Sequence, residues 1–425
     1  MSVDNISAPT ILASNKSIQE ATWSGSLPIV ISLAPTSISS PTPPRPVHKM
    51  ISRVSYLHLA LHDVIMQLSS YAPTHTLLAS KFDGMLSVAE PPDSPGSSGD
   101  NNNKGDNSSE DNTNTDDSIK DTNQTNKKPD VYPECWFEDE ESGTPLRWNL
   151  FVGVLYDLMK GKSIINKCPS SPSSSTSWTD KLNQHNFLPW RIRVHFTSYP
   201  TDDILPLNDG CNIQTSNSSM SSHEHITTIL RSIYRNSLKQ ALFMQYNSSK
   251  VAMSINKNSH EKIWDAVLQS NYILYNEVNV DLQSGISSPA ISSTVDSMAT
   301  SKDEDIPQLI PIRVMLNGKT AMQRPIRHDK ESKDIEQKRP REILEELGTS
   351  HAPPYTTLGD VLLSFLPNHF NIDSSSGWVS IASDSTLYYS IQGVQPSLKC
   401  AMVDIWRALS HPDHFLYLIL NHSSK

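Results

Sequence analysis

Five stretches of this chain cannot add to a packed core, and their positions limit what the remainder can fold into. They run from about Ser87 to Asp130, Pro169 to Thr179, Asn208 to Ser222, Ser284 to Asp305 and His328 to Pro340, and are dominated by Ser, Asn, Asp and Pro. Such segments bury too little apolar surface to offset the entropy of ordering them. The first 16 residues are expected to be disordered as well. Three blocks remain, at residues 17–200, 222–282 and 306–425, with polar insertions inside the first and last. A length of 425 residues also points to several domains, because single cores seldom grow beyond about 250–300 residues.

The first block opens on Trp23-Ser24-Gly25 and a strand from Leu27 to Ala34, where Ile29, Ile31 and Leu33 alternate with Pro28, Val30 and Ser32. One helix follows, with Val54, Leu57, Leu61, Ile65 and Leu68 at three- and four-residue steps. Cys135–Glu138 and Leu146–Trp148 are expected to be strands around the turn Ser142-Gly143-Thr144-Pro145, followed by a helix from about Leu150 to Met159. Trp190 to Phe196 closes the block as a half-buried strand with Arg191, Arg193 and His195 outward.

The last block repeats this order with little sequence identity. Ile310–Leu316 and Thr320–Ile326 flank Asn317-Gly318 as a hairpin, and Thr357 caps a helix carrying Leu358, Val361, Leu362 and Phe365. A short strand at Ser390–Val394, a helix at Ser397–Leu409 and an apolar strand at Phe415–Leu420 complete it. The order matches a ubiquitin-like β-grasp fold. Between the two blocks, His225–Gln269 lacks alternation and presents helical apolar faces, Ile226, Ile229, Leu230, Ile233 and Tyr234 on one and Ile263, Trp264, Val267 and Leu268 on another. The expected class is α+β, with two ubiquitin-like domains flanking a helix-rich domain.

Several functions are disfavoured. Much of the net charge of −10 resides in the acidic tract, so the folded part is closer to neutral; nucleic acid, which needs a clustered positive surface, is not an expected partner. Cys135, Cys168, Cys211 and Cys400 form no CxxC pair, the usage of a reducing compartment. Neither a leader nor an apolar span of about 18 residues occurs, so a cytosolic location is expected. There is no phosphate-cradling glycine loop, and no cofactor is expected. His223-Glu224-His225 has the wrong spacing for two zinc ligands on one helical face, and His411-Pro412-Asp413-His414 is expected to be a solvated turn. No metal site is expected. Glu138-Asp139-Glu140-Glu141 is expected to be a solvated loop, and Cys135 and Cys400 to be core residues of a strand and a helix.

Trp136–Met159, WFEDEESGTPLRWNLFVGVLYDLM, resembles the strand-turn-strand-helix of the autophagy-related protein 5 family. RVSYLHL from Arg53, LPWRIRVHFTSYP from Leu188, IPIRVML, TLGDVLL from Thr357 and HPDHFLYLIL follow in the family's order. Ser52 departs from it, standing where the family often has Pro, and the polar insertions enlarge this chain beyond compact relatives.

The resemblance implies a non-catalytic scaffold. Its segment Asn236–Trp264 is similar to the one bearing the lysine that accepts the ubiquitin-like modifier autophagy-related protein 12, and the matching position is Lys239. Activating and conjugating enzymes would form the isopeptide bond. The conjugate would bind the amino-terminal helix of a coiled-coil partner, autophagy-related protein 16, in a groove between domains. It would promote joining of another ubiquitin-like protein to phosphatidylethanolamine, with peripheral contact at preautophagosomal membranes.

Lys250 is the rival acceptor, next to Asn247-Ser248-Ser249, which is expected to be a turn after the conjugation helix. Gly153 lies inside a helix, where glycine costs about 1 kcal/mol, which points to close packing or to the partner helix. Arg53 is a second candidate partner contact, and Arg191 and Arg193 present an outward face for acidic partners or lipid heads. Two alternatives stay open: an unconjugated ubiquitin-like-fold adaptor, and a thiol enzyme of a ubiquitin-like pathway working through Cys135 or Cys400.

Overall fold

The structure, a computed structural model, describes residues 18–73, 134–165, 188–205, 207, 222–283, 309–316, 319–327, 355–373, 377–383 and 385–422. The polar tracts expected from composition lie outside these residues, apart from Ser222, as do the first 16 residues, Cys168, Cys211 and Asn317-Gly318.

A helix over 18–24, α1, leads into β1 (Ser26–Leu33) and β2 (Val47–Ser52). Then come α2 (Leu57–Ala60), α3 (His62–Ser69), β3 (Trp136–Asp139), β4 (Pro145–Leu146), α4 (Val152–Ile165) and β5 (Trp190–His195). The sheet order is β2-β1-β5-β3-β4, and β1 and β5, the first and last strands, run parallel at its centre. The second ubiquitin-like domain repeats that device. Its strands are β6 (Leu309–Leu316), β7 (Lys319–Arg327), β10 (Leu387–Ser390) and β11 (Leu416–His422), ordered β10-β11-β6-β7 with β6 and β11 parallel. Its helices are α9 (Leu358–Phe365) and α10 (Met402–Leu409), and β8 (Phe370–Ile372) and β9 (Val379–Ile381) form a side hairpin. Between the domains lie α5 (Ser222–Tyr246), α6 (Lys250–Ser254), α7 (Lys257–Gln269) and α8 (Tyr272–Gln283). The fold is the expected α+β arrangement of two ubiquitin-like domains and a helical bundle.

Strands β6 and β11 explain why the three units hold together. Ile310, Ile312, Val314, Leu416, Leu418 and Leu420 pack onto α9 and α10 within their own domain. Met315, Tyr417 and Ile419 point the other way and join the core shared by the first domain and the bundle. A sheet covered on both faces needs near-continuous apolar strands. That requirement accounts for the run Phe415-Leu416-Tyr417-Leu418-Ile419-Leu420, all at most 1% exposed. At the other end, Trp23 of α1 is buried against Tyr275 of the bundle, ring centroids 4.5 Å apart, and Gln19 accepts a hydrogen bond from the Tyr272 hydroxyl at 3.0 Å.

Several local expectations need correction. The single helix expected through Val54 to Leu68 is two: Arg53–Tyr56 is non-helical, and Leu61, at φ −110° and ψ 10°, separates α2 from α3. Edge strand β2 and the hairpin β8–β9 have no counterpart among the expected elements. Trp148 is no strand residue, but a buried indole donating to the Leu205 carbonyl at 2.7 Å. The strand expected at Ser390–Val394 ends at Ser390, beyond which only the bridge Ile391–Val394 continues. The helix expected from Ser397 begins at Met402, because Leu398 and Cys400 instead give their carbonyls to the first N–H groups of α9. Asn247-Ser248-Ser249 form the turn expected after the conjugation helix, and Lys250 begins the short helix α6 that follows it. Thr357 does cap α9, in a reciprocal box with Asp360.

Candidate functional site

Helix α5 carries the candidate acceptor. Ile226, Ile229, Leu230, Tyr234, Leu238, Ala241 and Leu242 are at most 1% exposed and fix its inner face. Lys239 is exposed on the outside. It stands at the rim of a recess of about 300 Å³ lined by Phe243, Ser249, Ala252, Met253, Ile255 and His260. Arg231 and Arg235 precede it at successive four-residue steps on the same face. Burial, and then the charges of Arg235 and Lys239, hold the His260 imidazole below its ordinary range.

Other side chains of the same helix grip the second domain. Ser237 donates to Asp413 Oδ2 at 2.6 Å, Tyr234 to the Pro412 carbonyl at 3.0 Å, and Arg313 to Gln240 Oε1 at 3.1 Å. Asp413 also accepts from Tyr417 at 2.9 Å and pairs with Arg313 at 3.4 Å, while the Arg313 guanidinium lies 3.7 Å from the centroid of the Phe415 ring. Burial pushes the Asp413 carboxyl up, against the pull of Arg313 and these hydrogen bonds. The HPDH segment is therefore no solvated turn: His411, Asp413 and His414 are at most 2% exposed. His411 stacks on Phe151 of the first domain, centroids 5.6 Å apart, so the turn touches all three units. The missed signal was an Asp and two His placed directly before a wholly apolar strand. Beside this junction opens a cleft of about 560 Å³, whose lining includes Arg147 and Asn149 of the first domain, Asn236 and Gln240 of α5, and Arg313 and Gln323 of the second.

The structure brings Arg53 and Gly153 together. The Gly153 N–H donates to the Arg53 carbonyl at 2.8 Å, and a Cβ on Gly153 would stand 3.0 Å from that oxygen. Arg53 then pairs with Asp157 at 2.6 Å, both side chains largely buried, and Asp157 accepts the backbone N–H of Gly393 in the second domain. Burial raises the Asp157 carboxyl although Arg53 pulls it down. These residues brace the seam between the ubiquitin-like domains.

The other candidates are dispersed. Arg191 is exposed, whereas Arg193 is engaged by Glu138 and Glu140 at 3.2 Å each. The acidic run is not a free loop, since Asp139 is fully buried between Trp190 Nε1, at 2.8 Å, and Lys160, at 2.9 Å. Cys135 is 2% exposed, with His58 Nδ1 3.9 Å from its sulfur and that imidazole lowered by burial to about 3. No protein substrate can reach it there. Cys400 is exposed, not core, and lies outside any helix. His223 and His225 lie in the first turn of α5, and no metal-ligand cluster occurs among the described residues.

Fold and junction define the class: a pair of ubiquitin-like domains locked onto a helical bundle, with an exposed lysine on the bundle's longest described helix. Three domain models of one family match in the same order: autophagy protein ATG5, UblA domain, over residues 22–85 and 115–196; its alpha-helical bundle region over 227–285; and its UblB domain over 309–420. The chain belongs to the autophagy protein 5 family, and its role lies in autophagy. Autophagy protein 5 of Phaeosphaeria nodorum is 30% identical over 155 residues, 36% of this chain and 44% of that protein. The Aspergillus fumigatus protein is 23% identical over 304 residues, 69% of this chain and 77% of that one. The crystal structure of Kluyveromyces marxianus Atg5 shares the fold at a TM-score of 0.50 and 16% identity, covering 95% of this chain and 99% of that one. Among the described residues no helix is long and apolar enough to cross a membrane.

Proposed function

We propose that this chain is a non-catalytic acceptor and scaffold, joined through Lys239 to a ubiquitin-like modifier of the autophagy-related protein 12 type. The observation that supports this reading is the exposure of Lys239 on a helix that neighbouring side chains tie to the second domain. An acceptor amine must be reachable while its surroundings stay rigid, since an orientation held in advance lowers the entropic cost of reaction. Lys250 is exposed too, but it begins a five-residue helix and does not line the recess.

The amino-terminal helix of an autophagy-related protein 16-like coiled coil would lie along the grooves between domains, anchored by a few apolar side chains. Arg53 and Gly153 would serve it by keeping the seam in shape. With that partner, the conjugate would promote lipidation of a second ubiquitin-like protein by holding the charged conjugating enzyme in a productive orientation. The chain would act in the cytoplasm and at preautophagosomal membranes, touching them peripherally through the complex.

Peptide mass spectrometry of protein from actively conjugating cells tests the reading. A branched peptide at Lys239, abolished in Lys239→Arg together with lipidation, is the expected result. An unmodified lysine, or a variant with normal lipidation, would leave an adaptor that works without covalent attachment.

A further inference from the structure

Between β1 and β2 the chain runs Ser40-Pro41-Thr42-Pro43-Pro44-Arg45-Pro46, a segment that neither the junction nor the acceptor helix uses. Proline fixes its own φ at about −65° and drives the residue before it away from the helical region. Thr42, Pro43 and Arg45 each precede a proline, and Pro43 to Pro46 join no helix, strand or turn. Such a run takes the extended polyproline II form, which repeats every three residues. At that period Thr42 and Arg45 share one row and Pro43 and Pro46 the next, and all four are exposed. In the third row Pro41 is exposed and Pro44 half-buried.

Both ends of the segment are held by the first domain. Ser39 donates to the Tyr71 carbonyl from its N–H, at 2.9 Å, and from its hydroxyl, at 3.0 Å, and Val47 pairs with Ile31 in the sheet. Apart from the Thr42 N–H, 3.4 Å from Ser40 Oγ, no hydrogen bond or ion pair among the described residues engages Pro41 to Arg45. Their carbonyls and the Arg45 guanidinium are open to outside partners. A ligand already extended and tethered at both ends loses little entropy on binding. Stiffening the approach to β2 would need prolines, but no unpaired arginine in register with them.

We propose that Thr42–Pro46 is a docking strip for a proline-recognition module of another protein, with a groove lined by aromatic rings and a carboxylate at its end. The rings take the Thr42-Pro43 and Arg45-Pro46 pairs, an aromatic N–H or O–H donates to the free carbonyls, and the carboxylate pairs with Arg45. The inference is independent of the acceptor reading.

Calorimetric titration of the full chain with individually purified SH3 and WW domains of the same organism provides the test, since both kinds carry such grooves. At least one domain should bind saturably. Pro43→Ala/Pro46→Ala and Arg45→Glu should each weaken that binding about tenfold or more, and Pro41→Ala/Pro44→Ala less than about threefold. The Tm of Arg45→Glu should match wild type, because its side chain is exposed and unpaired. Absence of binding by every domain would overturn the proposal. Equal losses in the two proline pairs would overturn it too, leaving prolines that only stiffen the approach to β2. Undiminished binding to Arg45→Glu would do the same by removing the carboxylate from the partner.

Discussion

Each ubiquitin-like domain places one glycine at the second position of a helix, Gly153 in α4 and Gly359 in α9. Both use the same backbone device. The first two N–H groups of α4 go to the carbonyls of Ser55 and Arg53, at 2.8 Å each, and those of α9 to Cys400 and Leu398, at 3.0 and 2.8 Å. Helix starts leave such donors without intrahelical partners, and here a turn from elsewhere in the same domain supplies the acceptors. The surroundings differ. Gly359 faces Val379 inside its own domain, whereas Gly153 faces Arg53, whose guanidinium continues to Asp157 at the edge of the other domain. The same local need for a glycine has been used once for packing and once at a seam.

Breaking the seam should have the largest effect. Arg53→Met leaves the Asp157 carboxyl buried without its cation, and should cost about 3–5 kcal/mol. Thermal unfolding measures it. Arg53→Met combined with Asp157→Leu should recover most of the loss, because the buried charge leaves with its partner. A double variant as unstable as the single one would show that the arginine matters through something other than this pair.

Within the second domain, Gly359→Ala puts a Cβ 2.8 Å from Val379 Cβ and 3.1 Å from the Leu398 carbonyl oxygen. Neither neighbour is a flexible chain end, so overpacking of about 1–3 kcal/mol is expected. Denaturant unfolding of Gly359→Ala at wild-type midpoint would mean that the interior has more room than these distances imply.

Titration separates junction from domain interior in a third way. Burial lowers His411 to about 3 and His414 to about 4 at the junction, and His58 to about 3 in the first domain. The unfolded chain, with imidazoles near 6.5, binds more protons between those values and about 6.5. Stability from these histidines is therefore complete above about pH 6.5 and lost as pH falls. The raised carboxyls Asp157 and Asp413 work in the opposite sense, gaining stability toward acid, and offset part of the loss. Between pH 7 and 5, His414→Gln should lose about 1–2 kcal/mol less than wild type. Equal losses in parallel melts would mean that His414 does not stay neutral in the fold.

What the sequence disclosed follows physical lines. Strands β1, β5 and β6 were legible because one face alternates into a core, and α9 because Thr357 and Asp360 announce its start. Strand β2 was hidden because it is an edge: only Ile51 is buried, and His48 and Met50 face water. The position of Lys239 on a helix was readable from the apolar period around it, but the recess was not, since Met253 and His260 reach it from α6 and α7. The junction was misread for a similar reason. His411, Asp413 and His414 are polar by type, and their partners are distant in sequence, Ser237 and Phe151 in other units and Arg313 on β6 of their own domain, so locally only the apolar strand that follows them points to burial.

Gly153→Ala carries the smallest expected effect and decides the most about the comparison. Its Cβ would meet the Arg53 carbonyl oxygen and Cβ at 3.0 Å, less severe than the 2.8 Å contact at Gly359, and the seam can open slightly to admit it. A loss of about 1 kcal/mol is expected. The informative quantity is the coupling to Arg53→Met in a double-mutant cycle. If the glycine exists to let Arg53 reach Asp157, the methyl group should matter less once the guanidinium is gone, with an interaction energy above about 0.5 kcal/mol. Strictly additive losses would separate the glycine from the ion pair. Its purpose would then lie outside the chain, and weaker binding of the coiled-coil partner's helix to Gly153→Ala, at unchanged binding to Arg53→Met, would identify it.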